Sequence, residues 1–91
     1  MAKKRTQVDI VGDMLSAIQD KNGRIKPTHL MYKSNLSHTQ LKSYLEELIE
    51  KEMVKEIKTK KNNTYFLITN KGDKFVQKLR EMKQFEKSFG F

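Results

Sequence analysis

The stretch from Pro27 to Lys51, PTHLMYKSNLSHTQLKSYLEELIEK, decides the fold. Pro27 suits the first turn of a helix, where its missing N–H forfeits no intrahelical hydrogen bond. Leu30 and Met31 are the inward residues of that helix. Ser34-Asn35 stops it, because asparagine is one of the few non-glycine residues that tolerate the left-handed region. Leu36 packs inward from the turn. Ser37 stands as an N-cap, and Gln40 three residues later completes a capping box. From His38 to about Lys51, the residues Leu41, Tyr44, Leu45, Leu48 and Ile49 form one apolar stripe at helical spacing. The pattern is therefore two short helices joined by a tight polar turn.

The flanks extend this pattern. Val8, Ile10, Val11, Met14, Leu15 and Ile18 predict a first helix from about Thr6 to Asp20, ended by Asn22-Gly23. On the other side, VKEIKTKKNNTYFLIT reads as a hairpin. Its first strand runs from about Val54 to Thr59, its turn from Lys60 to Asn63, and its β-branched and aromatic return from Thr64 to Thr69. Thr69 can cap a last helix from about Lys71 to Ser88, with Phe75, Val76, Leu79, Met82, Phe85 and Phe89 as its apolar positions. The predicted class is α+β, mostly helical, in the order α-α-α-β-β-α: a winged helix-turn-helix. Residues 1–70 are expected to form that unit and 71–91 a closing helix, all within one domain, with frayed ends.

Composition bounds the function. Ninety-one residues suffice for one domain, and 36% of them are hydrophobic. Leu, Ile, Val and Phe make up roughly a quarter of the chain, above the ~20% floor associated with disorder. There is no cysteine, which removes disulfides and thiolate metal sites. No apolar run approaches the roughly 18 residues of a membrane span. The start, MAKKR, is basic but is not followed by a signal-type apolar run. The expectation is a soluble, cytoplasmic, nucleoid-associated protein.

The net charge is +8. Such a surplus favours polyanions. It is also unevenly placed. Lys55, Lys58, Lys60 and Lys61 crowd the hairpin against Glu56, whereas Glu46, Glu47, Glu50 and Glu52 crowd the far end of the third helix against Lys51.

In a helix-turn-helix the second helix enters the major groove by its N-terminal residues. His38, Thr39, Gln40, Lys42 and Ser43 are the residues there that the core does not need. Gln can read adenine, Thr a thymine methyl, and Lys guanine or phosphate. Ser37 and the helix N-terminus offer N–H groups to a phosphate, and Tyr32 and Lys33 are candidates for the same strand. The hairpin tip, with Lys58, Lys60, Lys61, Asn62 and Asn63, suits a backbone or a minor groove. The acidic end of the third helix is expected to point away from the duplex. Phe75, Leu79, Met82, Phe85 and Phe89 exceed what one peripheral helix needs for its own domain, which suggests an antiparallel homodimer.

Catalytic chemistry finds no foothold. His29 and His38 have no metal-ligand spacing, the glycines are scattered, and no nucleophile–base pair is evident. No enzyme activity, metal, cofactor or small-molecule substrate is expected. The competing readings are a winged-helix protein-interaction module docking through Glu46 to Glu52, and RNA binding, which the small hairpin serves poorly because Tyr65 and Phe66 point to opposite faces.

The chain resembles the small archaeal winged-helix DNA-binding proteins, including chromatin-associated members that dimerise through a C-terminal helix. The resemblance is carried by AKKR, VDIVGDMLSAI, MYKSNLSHTQLKSYLEELIEKEMV and YFLITNKGDKFVQKL, with its Thr69-x-Lys71-Gly72 junction. It implies a recognition role for Ser37, His38, Thr39, Gln40 and Lys42, and a wing role for Lys58 to Asn63. It implies double-stranded DNA as partner, in a transcription regulator or a nucleoid protein. Two departures stand out. Glu52 occupies a site where such proteins often carry glycine, and the last helix is shorter than the long arm of the chromatin members.

Overall fold

A computed structural model describes residues 5–90; Met1–Lys4 of the basic start and Phe91 lie outside the described residues. Its elements are α1 (Gln7–Asp20), β1 (Arg24–Ile25), α2 (Pro27–Ser34), α3 (His38–Glu50), β2 (Val54–Lys58), β3 (Thr64–Ile68) and α4 (Asn70–Ser88). The predicted order of helices and hairpin holds, with one addition. The two-residue β1 pairs antiparallel with β3, giving a three-stranded sheet in the order β1-β3-β2. Nothing local marks Arg24-Ile25 as a strand. It exists because β3 offers an open edge beside the α1 turn, where the Ile68 N–H also donates to the Gly23 carbonyl at 3.1 Å.

Each helix starts where its cap dictates. Thr6 is the N-cap of α1, closing a capping box with Asp9, so this helix begins one residue later than the sequence reading has it. The predicted box at α3 forms: the Gln40 N–H donates to Ser37 Oγ, and the Ser37 N–H donates to Gln40 Oε1. Asn35 ends α2 in the left-handed conformation, φ 54°. Thr69 caps α4 by accepting from the Gly72 N–H. The glycine in that junction answers to space. A Cβ at Gly72 would fall 2.5 Å from the Met53 carbonyl oxygen and 2.8 Å from Ile68 Cγ1.

The core gathers Met14, Leu15 and Ile18 of α1, Leu30 of α2, Leu41, Leu45 and Leu48 of α3, Val54 and Phe66 of the hairpin, and Val76 of α4. Two residues expected in it are elsewhere. Val8 is 45% exposed at the start of α1, and Ile49 is 36% exposed at the edge of the α3 stripe. The helix turns by about 100° per residue, which carries Ile49 away from the line of Leu41, Leu45 and Leu48. α4 crosses α1 at Gly12, where a Cβ would meet Leu79 Cδ2 at 2.5 Å. Beyond Leu79 the helix leaves the core, and residues 80–90 are all exposed.

Candidate nucleic-acid interface

The α2–α3 turn is held from outside the motif. Arg5 Nη1 donates to the Ser34 carbonyl at 2.8 Å and its Nη2 to the Asn35 carbonyl at 3.0 Å, while the same guanidinium pairs with Asp13 on α1. One arginine thus satisfies two carbonyls at the C-terminal end of α2 and ties the turn to α1. Nothing in the sequence reading singled out Arg5 for this. Its signal, a lone arginine in a basic run, is not separable from the other cations. Beneath the turn, Ser34 is 1% exposed and its Oγ has no hydrogen-bond partner among the described residues.

His38, Thr39, Gln40, Lys42 and Ser43 are exposed on α3, and Leu41 between them is buried. Their roles differ. The Gln40 amide oxygen is engaged in the capping box, so a two-pronged contact with adenine requires that hydrogen bond to break. Thr39, Lys42 and Ser43 carry no such commitment; Thr39 and Ser43 stand on the side of α3 away from Leu41 and Leu48, and Lys42 stands on its flank toward the hairpin. The Ser37 hydroxyl and N–H are likewise used within the box. Tyr32 on α2 is 74% exposed and lies outside the core. Lys33 turns toward α1, with its ammonium 3.6 Å from Asp20.

The hairpin tip is a built loop. The Thr59 N–H donates to the Asn63 carbonyl at 2.9 Å, the Asn62 N–H to the Thr59 carbonyl at 2.9 Å, and the Asn63 N–H to Thr59 Oγ1. Asn62 takes the left-handed position, φ 64°, that a three-residue hairpin loop requires. Lys60, Lys61, Asn62 and Asn63 are all exposed, as is Lys58 at the end of β2. Next to the tip, Arg24 and Lys26 lie over the Tyr65 ring, 4.5 and 5.9 Å from its centroid. These two cations extend the basic surface onto the outer face of the sheet. Sequence reasoning missed them because they join the hairpin only through the β1–β3 pairing.

α3 and the hairpin share a cleft of about 360 Å³, lined by His38, Lys42 and Glu46 on one side and by Glu56 and Phe66 on the other. The acidic end of α3 is therefore not one patch. Glu46 faces this cleft. Glu47 faces α1, where it accepts from Gln7 Nε2 and pairs with Lys51 at 2.7 Å. The hydrogen bond from Lys51, and then its charge, hold the Glu47 carboxyl below the usual carboxylate range, and Glu47 raises Lys51 in return.

On α4, Phe75 packs against the core and Leu79 against Gly12, whereas Met82, Phe85 and Phe89 are 51%, 62% and 65% exposed. The Phe85 and Phe89 rings pack against each other at a tilt, with centroids 4.7 Å apart. Among the described residues no helix is long and apolar enough to cross a membrane.

Comparison with known proteins agrees with this architecture. An uncharacterized protein of Methanocaldococcus jannaschii is 28% identical over 79 residues, covering 87% of this chain and 34% of that protein. The chain thus spans about a third of the length of that relative. Among solved structures, Sso10a-2, a DNA-binding protein from Sulfolobus solfataricus, superposes with a TM-score of 0.80 at 16% identity, over 93% of this chain and 85% of that one. F93 from STIV, a winged-helix DNA-binding protein, superposes with a TM-score of 0.74 at 17% identity, over 89% and 92% of the two chains. A family model of the winged helix-turn-helix matches residues 4–87. With nearly its whole length matched and each structural part of the motif in place, the chain belongs to the winged helix-turn-helix family.

Proposed function

We propose that this protein binds double-stranded DNA as a homodimer, with the first half of α3 in the major groove and the hairpin tip on the adjacent backbone or minor groove. One observation carries the reading. The exposed, acid-free turn from His38 to Ser43 flanks the same cleft as a hairpin whose tip carries Lys58, Lys60 and Lys61. A helix presenting hydrogen-bonding side chains to base edges, beside a cationic finger, matches the chemistry of a duplex. Sso10a-2 and F93, both DNA-binding proteins, share the fold, which supports the reading. In this view Thr39, Lys42 and Ser43 meet the bases. Ser37 and Gln40 set the helix N-terminus, and Tyr32, Lys58, Lys60, Lys61 and Asn63 contact the backbone. Asn62 shapes the loop.

The exposed end of α4 supports the homodimer. In a dimer joined through the far end of α4, the exposed Met82, Phe85 and Phe89 meet the same helix of the partner subunit, while Phe75 and Leu79 stay packed within their own protomer.

The test is sequence selection from a random duplex pool, with wild type and Thr39→Ala/Lys42→Ala. The reading expects a double variant that binds more weakly and with relaxed preference, and equal binding by the two proteins would remove α3 from the interface. A two-fold symmetric motif would identify a regulator, and a flat profile a nucleoid component.

A further inference from the structure

The turn of α3 that follows Lys42 has a chemistry unlike the first. At about 100° per residue, Leu41, Leu45 and Leu48 point inward, and Thr39, Ser43 and Glu46 fall on the opposite side. Glu46 comes one turn after Lys42 and lines the same cleft, facing the hairpin. It is in none of the ion pairs seen among the described residues, although Lys42 stands at i−4 and could provide one. Glu47, next along the chain, is by contrast fully engaged with Lys51 and Gln7. Glu50 and Glu52 are likewise in none of those ion pairs, so what sets Glu46 apart within the acidic run is its place in the cleft, beside the exposed His38 and Lys42 of the first turn.

An ionised carboxylate only accepts hydrogen bonds. Backbone phosphate beside Glu46 would be repelled, and repelled again by Glu56 across the cleft. The groups of a duplex that suit it are the exocyclic amines on the major-groove edge, cytosine N4 and adenine N6, of which cytosine N4 is the usual partner of Glu. We propose that Glu46 is a specificity-determining residue, accepting a hydrogen bond from the exocyclic amino group of a base, cytosine by preference, one helical turn further into the site than Lys42. This rests on the reading of α3 as the helix in the groove.

The experiment compares wild type, Glu46→Ala and Glu46→Gln in selection from a random duplex pool. Each affinity is then measured on the winning site and on a site altered at one base pair. Glu46 is exposed, and circular dichroism checks that the variants keep the fold. Wild type is expected to fix one base with an exocyclic amine, and to bind about 5- to 150-fold more weakly when that pair is changed. Glu46→Ala should lose this dependence while its affinity for unrelated duplex stays equal or rises, since a repulsive charge has gone. Whether the fixed base is cytosine or adenine identifies the donor. Unchanged preference in Glu46→Ala, or a wild type without preference at any position, overturns the proposal. A wild type that binds no duplex at all is a different failure: it removes the DNA reading itself, and this assignment with it.

Discussion

Glu52 shows how a single residue records a backbone demand. It holds φ 61°, where a non-glycine residue is disfavoured by about 1–2 kcal/mol. The conformation persists because the segment is fastened to Thr69. The Glu52 carbonyl accepts the Thr69 hydroxyl at 2.7 Å, and the Met53 carbonyl accepts the Thr69 N–H at 3.1 Å. Glu52→Gly keeps those bonds and is expected to raise stability by about 0.5–1 kcal/mol, less than the full relief because glycine gains freedom in the unfolded chain. Urea unfolding measures it, and a less stable variant would mean that the Glu52 side chain contributes more than its backbone strain removes. Glu47 gives a second expectation. Its carboxyl is held below its ordinary value of 4.5, so the contact with Lys51 favours the native state above that pH and is lost as pH falls through the lowered value. Acid unfolding of wild type should therefore be steeper below about 4.5 than that of Glu47→Gln. Identical profiles would show the pair to be inert, as many exposed pairs are.

At the scale of elements, the hairpin carries the electrostatic part of the account. Lys60 and Lys61 sit on a loop whose shape is set by Thr59, Asn62 and Asn63, so their removal leaves the backbone frame intact. If each neutralises one phosphate, Lys60→Ala/Lys61→Ala reduces the slope of log affinity against log salt by about 1.8, evenly across sequences. An unchanged slope would mean that the tip points away from the duplex. The elements also show where sequence is informative. Helices α1, α3 and α4 were legible because capping residues and apolar spacing are local signals; Ser37 with Gln40, and Thr69 with Gly72, sit where they were expected. β1 was not, because a two-residue strand is defined by its partner β3 and by no property of Arg24-Ile25. The candidate site divides in the same way. The exposure of His38 to Ser43 followed from the α3 stripe. The Arg5 clamp on Ser34 and Asn35, the turning of Lys33 to Asp20, and the cleft position of Glu46 all depend on neighbours distant in sequence.

For the whole molecule, the proposed duplex binding raises the matter of how one small domain would grip a long polymer. A single recognition helix with one wing touches few phosphates, and doubling the domain raises the effective concentration of the second half for its half-site. The exposed Met82, Phe85 and Phe89 at the far end of α4 offer the means. Phe85→Glu/Phe89→Glu alters side chains that the monomer does not bury, so the domain is expected to stay folded while sedimentation at micromolar concentration shifts from dimer to monomer and duplex affinity falls. A wild type that sediments as a monomer would remove the homodimer. The most direct test of the central claim is a titration of labelled duplex DNA with wild-type protein over a series of salt concentrations. Tight binding at low salt is expected, with log affinity falling linearly with log salt at about 0.9 per phosphate neutralised. No binding at low salt, or an affinity indifferent to salt, would contradict it.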